Sequence, residues 1–412
     1  MIRPPEYPAA PPMETPAALS ERYVDVPVDS NDLARSYQPR RVWASAVSIG
    51  WNLLLAGAFV GSGEAVRLYR QFVPLEVGRA ARFSWVGPVY LIILFCGYAA
   101  LNFPLELWFG YLQERQFGLA KDGVRAWARD WLMGTLQHGV MFVTGSCLLL
   151  ICQTLVPGMW LVVAAGVLLV LFLTTTYLAA DLIPIGLFHL QRADEGTTER
   201  LKGLVAKPAC EAASGESAPM SLPPIIVYSH PALREFAGGI VGMGNRQALL
   251  ISRSTMEVAS DTMLRFVLLH DLGHRRYHHN LLSALAGWAW VVIGLAMSQL
   301  VIPARWDHAA VFGSPIYIAF LAVTISLWMV LGEPVLAYLG RRLEYQADRF
   351  YLRSGGTLAE MQQAIDELAR QNLARTEAMR RRETIFHPLP CIANRLHRAR
   401  EFERARLEGN EE

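Results

Sequence analysis

The sequence predicts a mainly α protein, a multi-pass membrane helical bundle of about six spans that carries a small α+β region. Of its 412 residues, 53% are hydrophobic and 18% are charged, which is more apolar than a typical soluble domain. The apolar residues are gathered in uncharged runs of about 20 residues, the length that a helix needs to cross a bilayer. A segment after the fourth run instead shows two short strand-like stretches around a Gly-Asn turn, which indicates a hairpin.

The six spans follow from the runs in chain order. The first two runs are Val42–Gly63 and Phe83–Pro104. The next, Trp131–Ala180, has no Asp, Glu, Lys or Arg and is long enough for two spans, with "VPGMW" at 156–160 as the turn between them. Residues 280–304 and 309–332 supply the last two spans. An even number of spans places both termini on one side of the membrane.

The runs divide the chain into four parts. Residues 1–41 are rich in Pro and Ala, have no apolar run and are predicted to be a disordered polar N-terminal tail. Residues 42–184 hold four spans and an intervening loop. Residues 185–400 form a second domain that includes the two further spans, and residues 401–412 are a charged C-terminal tail.

Basic residues near the ends of spans predict the orientation. Arg40 and Arg41 precede the first span, and charge-rich segments follow the second, fourth and sixth, whereas the short loops at 157–158 and 305–308 hold only Arg305. This pattern favours a cytoplasmic N-terminus, and with it a cytoplasmic 185–280 segment and C-terminus. The opposite orientation is favoured by four arginines of the 64–82 loop, which are Arg67, Arg70, Arg79 and Arg82.

Charge and cysteine content exclude some classes of partner and site. The apolar composition implies a lipid bilayer as the surroundings, and the small net charge of +2 implies no nucleic-acid partner. The five cysteines are scattered without a C-x-x-C pair, so neither a disulfide framework nor a cysteine zinc site is predicted.

The stretch "LLHDLGHRRYHHN" (Leu268–Asn280) holds a candidate metal site. His270 and His274 are four residues apart and would share one face of a helix, where two imidazoles can bind one metal ion. "RRLEYQADRF" (341–350) offers Glu344 and Asp348 at the same spacing. Glu344 could be the third ligand, and Asp348 could accept the other N–H of a ligand imidazole. Each pair alone is also typical of a solvated helix face, and His278 and His279 add to the local histidine density.

These motifs and several others resemble the integral-membrane zinc metallopeptidases that include HtpX and the type I CAAX prenyl endopeptidase. "HDLGH" is similar to H-E-L-G-H of that family, and "RRLEYQAD" to S-R-x-x-E-Y-Q-A-D. Weaker similarities extend over most of residues 83–400. They are "PLELWFGYLQERQFGLAKDGVRAWARDWL", "AADLIPIGLF", "FAGGIVGMGNRQALLISRSTM" and "HPLPCIANRL".

The resemblance implies roles for individual residues. His270, His274 and Glu344 become the ligands of one Zn²⁺ per chain, and Asp348 becomes a supporting residue behind a ligand. His387 and Arg395 fall on positions near the cleft and the cut peptide bond. Gly238, Gly239 and Ile240 fall on an edge strand to which an extended protein or peptide substrate would add. The small α+β region would then be a zinc-peptidase region at the cytoplasmic side.

Asp271 departs from the family, which has the catalytic Glu at that position. Aspartate has the same acid–base chemistry, but its arm is one methylene shorter, which would hold the carboxylate on the order of 1 Å too far back and could cost about 10²-fold in rate. Gly238 and Gly239 likewise replace an Asn-Ala pair.

Three functions therefore stay open. They are a membrane zinc endopeptidase, a zinc-holding relative that binds peptides without cutting them, and a transporter or membrane scaffold unrelated to proteolysis. The near absence of ionisable residues within the spans argues against transport.

Overall fold

The structure is a computed structural model that describes eight segments of the chain, namely residues 30–72, 85–118, 123–182, 189–209, 222–229, 238–301, 312–371 and 389–408. Its helices are α1 (Ser30–Gly61), α2 (Glu64–Phe72), α3 (Val86–Leu107), α4 (Val124–Leu155), α5 (Trp160–Tyr177), α6 (Ala179–Leu182), α7 (Glu195–Ala209), α8 (Arg253–Val258), α9 (Asp261–Arg276), α10 (His279–Val301), α11 (Pro315–Arg353), α12 (Leu358–Gln371) and α13 (Ile392–Leu407). Four strands complete the described structure, β1 (His189–Arg192), β2 (Ile225–Ser229), β3 (Gly238–Val241) and β4 (Ala248–Ser252).

The prediction of a membrane helical bundle with six spans is confirmed. Helices α1, α3, α4, α5, α10 and α11 are each long and apolar enough to cross a membrane. Helix α3 continues beyond Leu107 through a π-helical turn, Trp108–Leu112, to a last turn at Gln113–Gln116. Helix α11 is 39 residues long, so it carries the sixth span and then continues into the second domain.

The first helix begins earlier than the sequence indicated. Helix α1 starts at Ser30, inside the segment that was predicted to be a tail up to residue 41, and it includes Pro39. The extension is held by Tyr37, whose side chain is buried and whose hydroxyl donates to Glu114 at 2.7 Å. The Tyr37 ring also packs on Phe117. The polar composition and Pro39 concealed this helix, because its partners lie about 80 residues away in sequence.

Two Trp–Gly contacts pack α10 against α11 within the membrane. A Cβ added to Gly332 would lie 2.3 Å from the Trp290 ring, and one added to Gly294 would lie 2.5 Å from the Trp328 ring. The two indoles stack with their centroids 4.5 Å apart, and Trp328 Nε1 donates to the Trp290 carbonyl at 3.0 Å. Each tryptophan therefore fills the space that a glycine leaves on the opposite helix.

The second domain contains a four-stranded sheet in the order β1-β2-β4-β3. Strands β3 and β4 form the predicted hairpin, in which Gly242 and Gly244 have positive φ angles that glycine adopts readily. Strand β2 runs parallel to β4, and β1 pairs antiparallel with β2. Strand β1 was not predicted from the sequence, because a strand of four residues shows too little alternation.

The core of this domain packs the sheet against α7, α9, α12 and α13. Leu249, Leu264, Leu268 and Met361 are fully buried in it. Helix α13 continues to Leu407, past the predicted start of the C-terminal tail at residue 401. Phe402 packs against the core and lies under the Arg353 guanidinium, which explains why the helix does not end at 400.

Candidate metal centre

Helix α9 carries the HDLGH motif, and its start is fixed by a cap. The Ser260 hydroxyl accepts a hydrogen bond from the Met263 N–H at 3.1 Å. Glu367 of α12 in turn accepts bonds from both the Ser260 N–H and its hydroxyl, at 2.9 and 2.7 Å. The apolar residues of α9 point into the core, so the helix cannot rotate about its axis without exposing them.

A close helix–helix contact brings the two motifs together. A Cβ added to Gly273 would lie 3.0 Å from the Ala347 Cα and from the Phe350 Cβ, and Ala347 is fully buried. The glycine of HDLGH and the alanine of EYQAD therefore let α9 and α11 approach closely. This approach places the side chains one turn away on each helix, His270 and Glu344, within bonding distance.

The three predicted ligands meet at one point. His270 Nε2 and Glu344 Oε2 are 3.2 Å apart, His274 Nε2 and Glu344 Oε1 are 3.5 Å apart, and the two Nε2 atoms are 3.2 Å apart. Bonds of about 2.0–2.1 Å at tetrahedral angles separate ligand atoms by about 3.3 Å. The donor set and its spacing therefore fit one zinc ion with its fourth position open, and these residues are a group that could hold a metal ion.

Asp348 lies behind His270, and Arg395 lies behind Asp348. Asp348 Oδ1 is 3.0 Å from His270 Nδ1. Arg395 of α13 donates to both carboxylate oxygens of Asp348, at 2.6 and 2.9 Å, and its guanidinium lies over the Phe266 ring. Asp348 is buried, and the carboxylate raises the pKa of Arg395 well above its usual range against the opposing effect of burial. Arg395 therefore contacts the centre chiefly through Asp348, and its Nη2 also lies 3.5 Å from His270 Nδ1.

Asp271 is buried beside the ligands. Among the described residues, no group forms a hydrogen bond with its Oδ2 atom, and that atom is inaccessible to solvent. Burial raises the pKa of Asp271 to about 7, partly opposed by the charge of His270. A buried carboxyl group whose second oxygen has no hydrogen-bond partner among the described residues is a candidate general base.

The electrostatics of the pocket favour a cation. Burial alone would lower the pKa of His270, but hydrogen bonds to Asp348 and Glu344 raise it to about 9. Burial and the charge on His270 lower the pKa of His274 to about 3. One positive charge is thus favoured next to Glu344, and a metal ion shared by both rings would supply it.

The junction between α9 and α10 brings in two residues that the sequence analysis did not assign. His278 has a φ of 54°, a left-handed conformation that is uncommon outside glycine, and α10 begins at the next residue. His279 is buried, and its Nδ1 lies 2.8 Å from His274 Nδ1. Asn280 donates from its amide nitrogen to the carbonyls of Ile240 and Gly242, at 2.9 and 3.1 Å. A five-residue spacing is not a helix-face spacing, so the sequence alone gave no signal for His279.

Strand β3 lies at one end of the described sheet and β1 lies at the other. The Leu249 N–H donates to the Pro224 carbonyl beside β2, so Leu249 faces β2 and its neighbours face β3. In the β3–β4 register Gly239 and Val241 therefore face β4, and Gly238 and Ile240 point their backbone groups away from β4. A Cβ added to Gly238 would lie 2.6 Å from the Leu250 carbonyl oxygen, which accounts for glycine at this position. His387 lies outside the described residues.

Comparisons with known proteins place this geometry in context. The profile of peptidase family M48 matches residues 197–403. A search of curated proteins finds no match to the chain. Among solved structures, the crystal structure of S. mikatae Ste24p is similar, with a TM-score of 0.73 at 16% identity over 93% of each chain. The matched region includes every described residue of the metal centre.

Proposed function

The chain belongs to peptidase family M48, and we propose that it is a membrane-embedded zinc metalloendopeptidase that hydrolyses peptide bonds of membrane or lipid-modified proteins. One observation carries the proposal. Three ligand atoms at zinc spacing lie beside a buried aspartate whose Oδ2 forms no hydrogen bond within the described structure. A transporter or an unrelated scaffold would have no need for this combination.

Each residue of the centre has a part in the proposed reaction. His270, His274 and Glu344 would hold one zinc ion, which, when bound, supplies a Lewis acid that polarises the cut carbonyl and lowers the pKa of water. Asp271 would take the proton of the attacking water and later give it to the leaving amine. Asp348, held by two hydrogen bonds from Arg395, would keep the N–H of His270 on Nδ1, so that Nε2 faces the metal.

The edge of β3 that faces away from β4 would align the substrate. An extended peptide can pair with the backbone groups of Gly238 and Ile240 that point away from β4. Asn280 already occupies the carbonyls of Ile240 and Gly242. The substrate would therefore pair with the N–H of Ile240 and with both groups of Gly238, which is a short and sequence-independent contact.

Cleavage by the purified chain in lipid vesicles tests this function. An unfolded membrane protein should be cut, and a chelator should stop cleavage until zinc is restored. Asp271→Ala should lower the rate by about 10²–10⁴-fold with unchanged zinc content. Asp261→Ala, which removes an exposed aspartate of the same helix, should behave as wild type. Unchanged cleavage by Asp271→Ala would remove Asp271 from the reaction.

The short arm of Asp271 favours a second candidate, a zinc-holding relative that binds peptides without cutting them. This candidate expects one zinc per chain and measurable peptide binding, but no product even after long incubation with wild-type protein. The same preparation decides between the two functions, because zinc content and product are measured separately.

We also propose that the centre faces the cytoplasm, as the basic residues near the span ends indicate. Cysteines introduced at Lys202 and Gly203, which are exposed on α7, should resist a membrane-impermeant reagent in intact cells and react after lysis. Labelling in intact cells would reverse the orientation and make the arginines of the 64–82 loop the better guide.

A further inference from the structure

We propose that His279 is a positioning residue for the metal centre, which fixes the tautomer of the ligand His274, and that Gln346 fixes the tautomer of His279 in turn. The proposal rests on the proposed function only in requiring that His274 binds the metal. It concerns a hydrogen-bonded chain, His274–His279–Gln346, which is separate from the Asp348–Arg395 pair behind His270.

The direction of each hydrogen bond follows from the ring of His274. Its Nε2 faces His270 and Glu344 and must keep a lone pair to bind a metal, so its proton lies on Nδ1. His279 Nδ1, at 2.8 Å, must then accept that proton's hydrogen bond. The proton of His279 therefore lies on Nε2, which donates to Gln346 Oε1 at 3.0 Å. Each hydrogen-bonding atom in the series His274–His279–Gln346 then has one consistent role as donor or acceptor.

The position of His279 is enforced by its surroundings. The ring is buried, stacks on Tyr277 with centroids 5.8 Å apart and meets the His274 ring edge to face. The left-handed conformation of His278 turns the backbone between α9 and α10. This turn directs the side chain of His279 back toward His274. A histidine that only filled space would not require a ring nitrogen at 2.8 Å from a ligand.

The two ligand imidazoles are therefore supported differently. His270 donates to a carboxylate that is neutralised by Arg395, and His274 donates to a neutral imidazole. Loss of such an outer partner typically lowers metal affinity by about 10–100-fold. His279 should contribute to zinc affinity by this amount although it cannot touch the metal.

A matched pair of variants at His279 isolates the hydrogen bond from the packing. His279→Asn places an acceptor oxygen near the position of Nδ1, and His279→Leu has a similar shape without an acceptor. Zinc affinity is measured on the purified full chain by competition with a chelator. The leucine variant should bind about 10–100-fold more weakly than wild type, and the asparagine variant should recover most of this loss. Equal affinities of the two variants would overturn the proposal.

Variants at Gln346 test the hydrogen-bonded series without changing a core residue, because Gln346 is exposed. Gln346→Glu provides a stronger acceptor for the His279 N–H and should increase zinc affinity, whereas Gln346→Met should decrease it. Unchanged affinity in both variants would overturn the proposal even if the His279 variants fail to fold. Wild-type protein that binds zinc but cuts nothing would contradict only the peptidase activity, since the affinities would still report on His279.

Discussion

Helices α10 and α11 are held together at two ends by opposite kinds of contact. In the membrane, Trp290 and Trp328 fill the spaces left by Gly332 and Gly294, and ring packing with one indole hydrogen bond fixes the distance between the helices. At the other end, His279 of α10 bonds to Gln346 of α11, next to the buried carboxylates of the metal centre. The same two helices thus pass from a mainly apolar contact to a polar contact that lies beside charged groups.

The difference shows which end of the helix pair stabilises the fold and which end needs the two helices to stay aligned. Tightly packed aromatic rings gain dispersion energy and bury no charge, and at this contact the polar atom left without a hydrogen bond among the described residues is Trp290 Nε1. Buried charges cost several kcal/mol each to desolvate, and pairing returns little more than that cost. The apolar end therefore maintains the alignment of the helices, and the charged end depends on that alignment for its function.

The largest effect is expected from removing a ligand at the charged end. Glu344→Ala should reduce bound zinc from about one per chain to near zero, since a zinc site with an open position needs three protein ligands. Elemental analysis of the purified protein measures this directly. Glu333→Ala, which removes a carboxylate from the same helix on the membrane side of the centre, should keep its zinc. Full zinc retention in Glu344→Ala would remove Glu344 from the site.

The second-largest effect is expected from breaking the buried ion pair between Arg395 and Asp348, which lies behind His270. Arg395→Met leaves the charge of Asp348 buried without its partner, which should cost about 3–5 kcal/mol of unfolding free energy. Arg395→Met combined with Asp348→Leu should recover much of that stability while the support of His270 stays lost. Thermal unfolding measures both, with Arg398→Met on the same helix as the control. A lone Arg395→Met variant as stable as wild type would show that the pair is not desolvated.

A smaller effect is expected at the apolar end. Gly332→Ala places a methyl group where the Trp290 ring now lies, and such overpacking costs about 1–3 kcal/mol. Zinc per folded chain should not change, in contrast to the Glu344 variant. Gly97→Ala, whose added methyl would meet no atom within 4 Å, provides the control. Loss of zinc at unchanged melting temperature would contradict the division of roles between the two ends.

The smallest effect is expected from a variant that tests the position of the Asp271 carboxylate. Asp271→Glu restores one methylene to the proposed base and should increase cleavage about 10-fold or more, with zinc content unchanged. A variant slower than wild type would show that the centre has adjusted to the shorter arm.

The sequence predicts the apolar end and the ligands better than their supports. Uncharged runs identify the spans because a bilayer demands length and apolarity, and helical spacing pairs His270 with His274 and Glu344 with Asp348, because residues four apart share one face of a helix. The contact of Arg395 with Asp348 joins residues 47 apart, and only the packed fold brings them together. His279 reaches His274 only through the left-handed turn at His278, which helical periodicity does not predict.

The length of α11 sets the distance between the end of the sixth apolar run and Glu344. Glu344 lies 12 residues beyond Gly332, the end of the predicted sixth apolar run, and 12 helical residues span about 18 Å. An extended chain covers about 3.3 Å per residue, so a segment anchored in the bilayer reaches the ligands only after about five or six residues. Under the proposed function, this helix would let the distance of a peptide bond from the membrane, and not the neighbouring sequence, decide which bond is cut. Substrates with successively longer spacers between the membrane anchor and the natural cut site should then be cut at a constant distance from the anchor. A cut that stays at the same sequence in every substrate would show that this distance does not choose the bond.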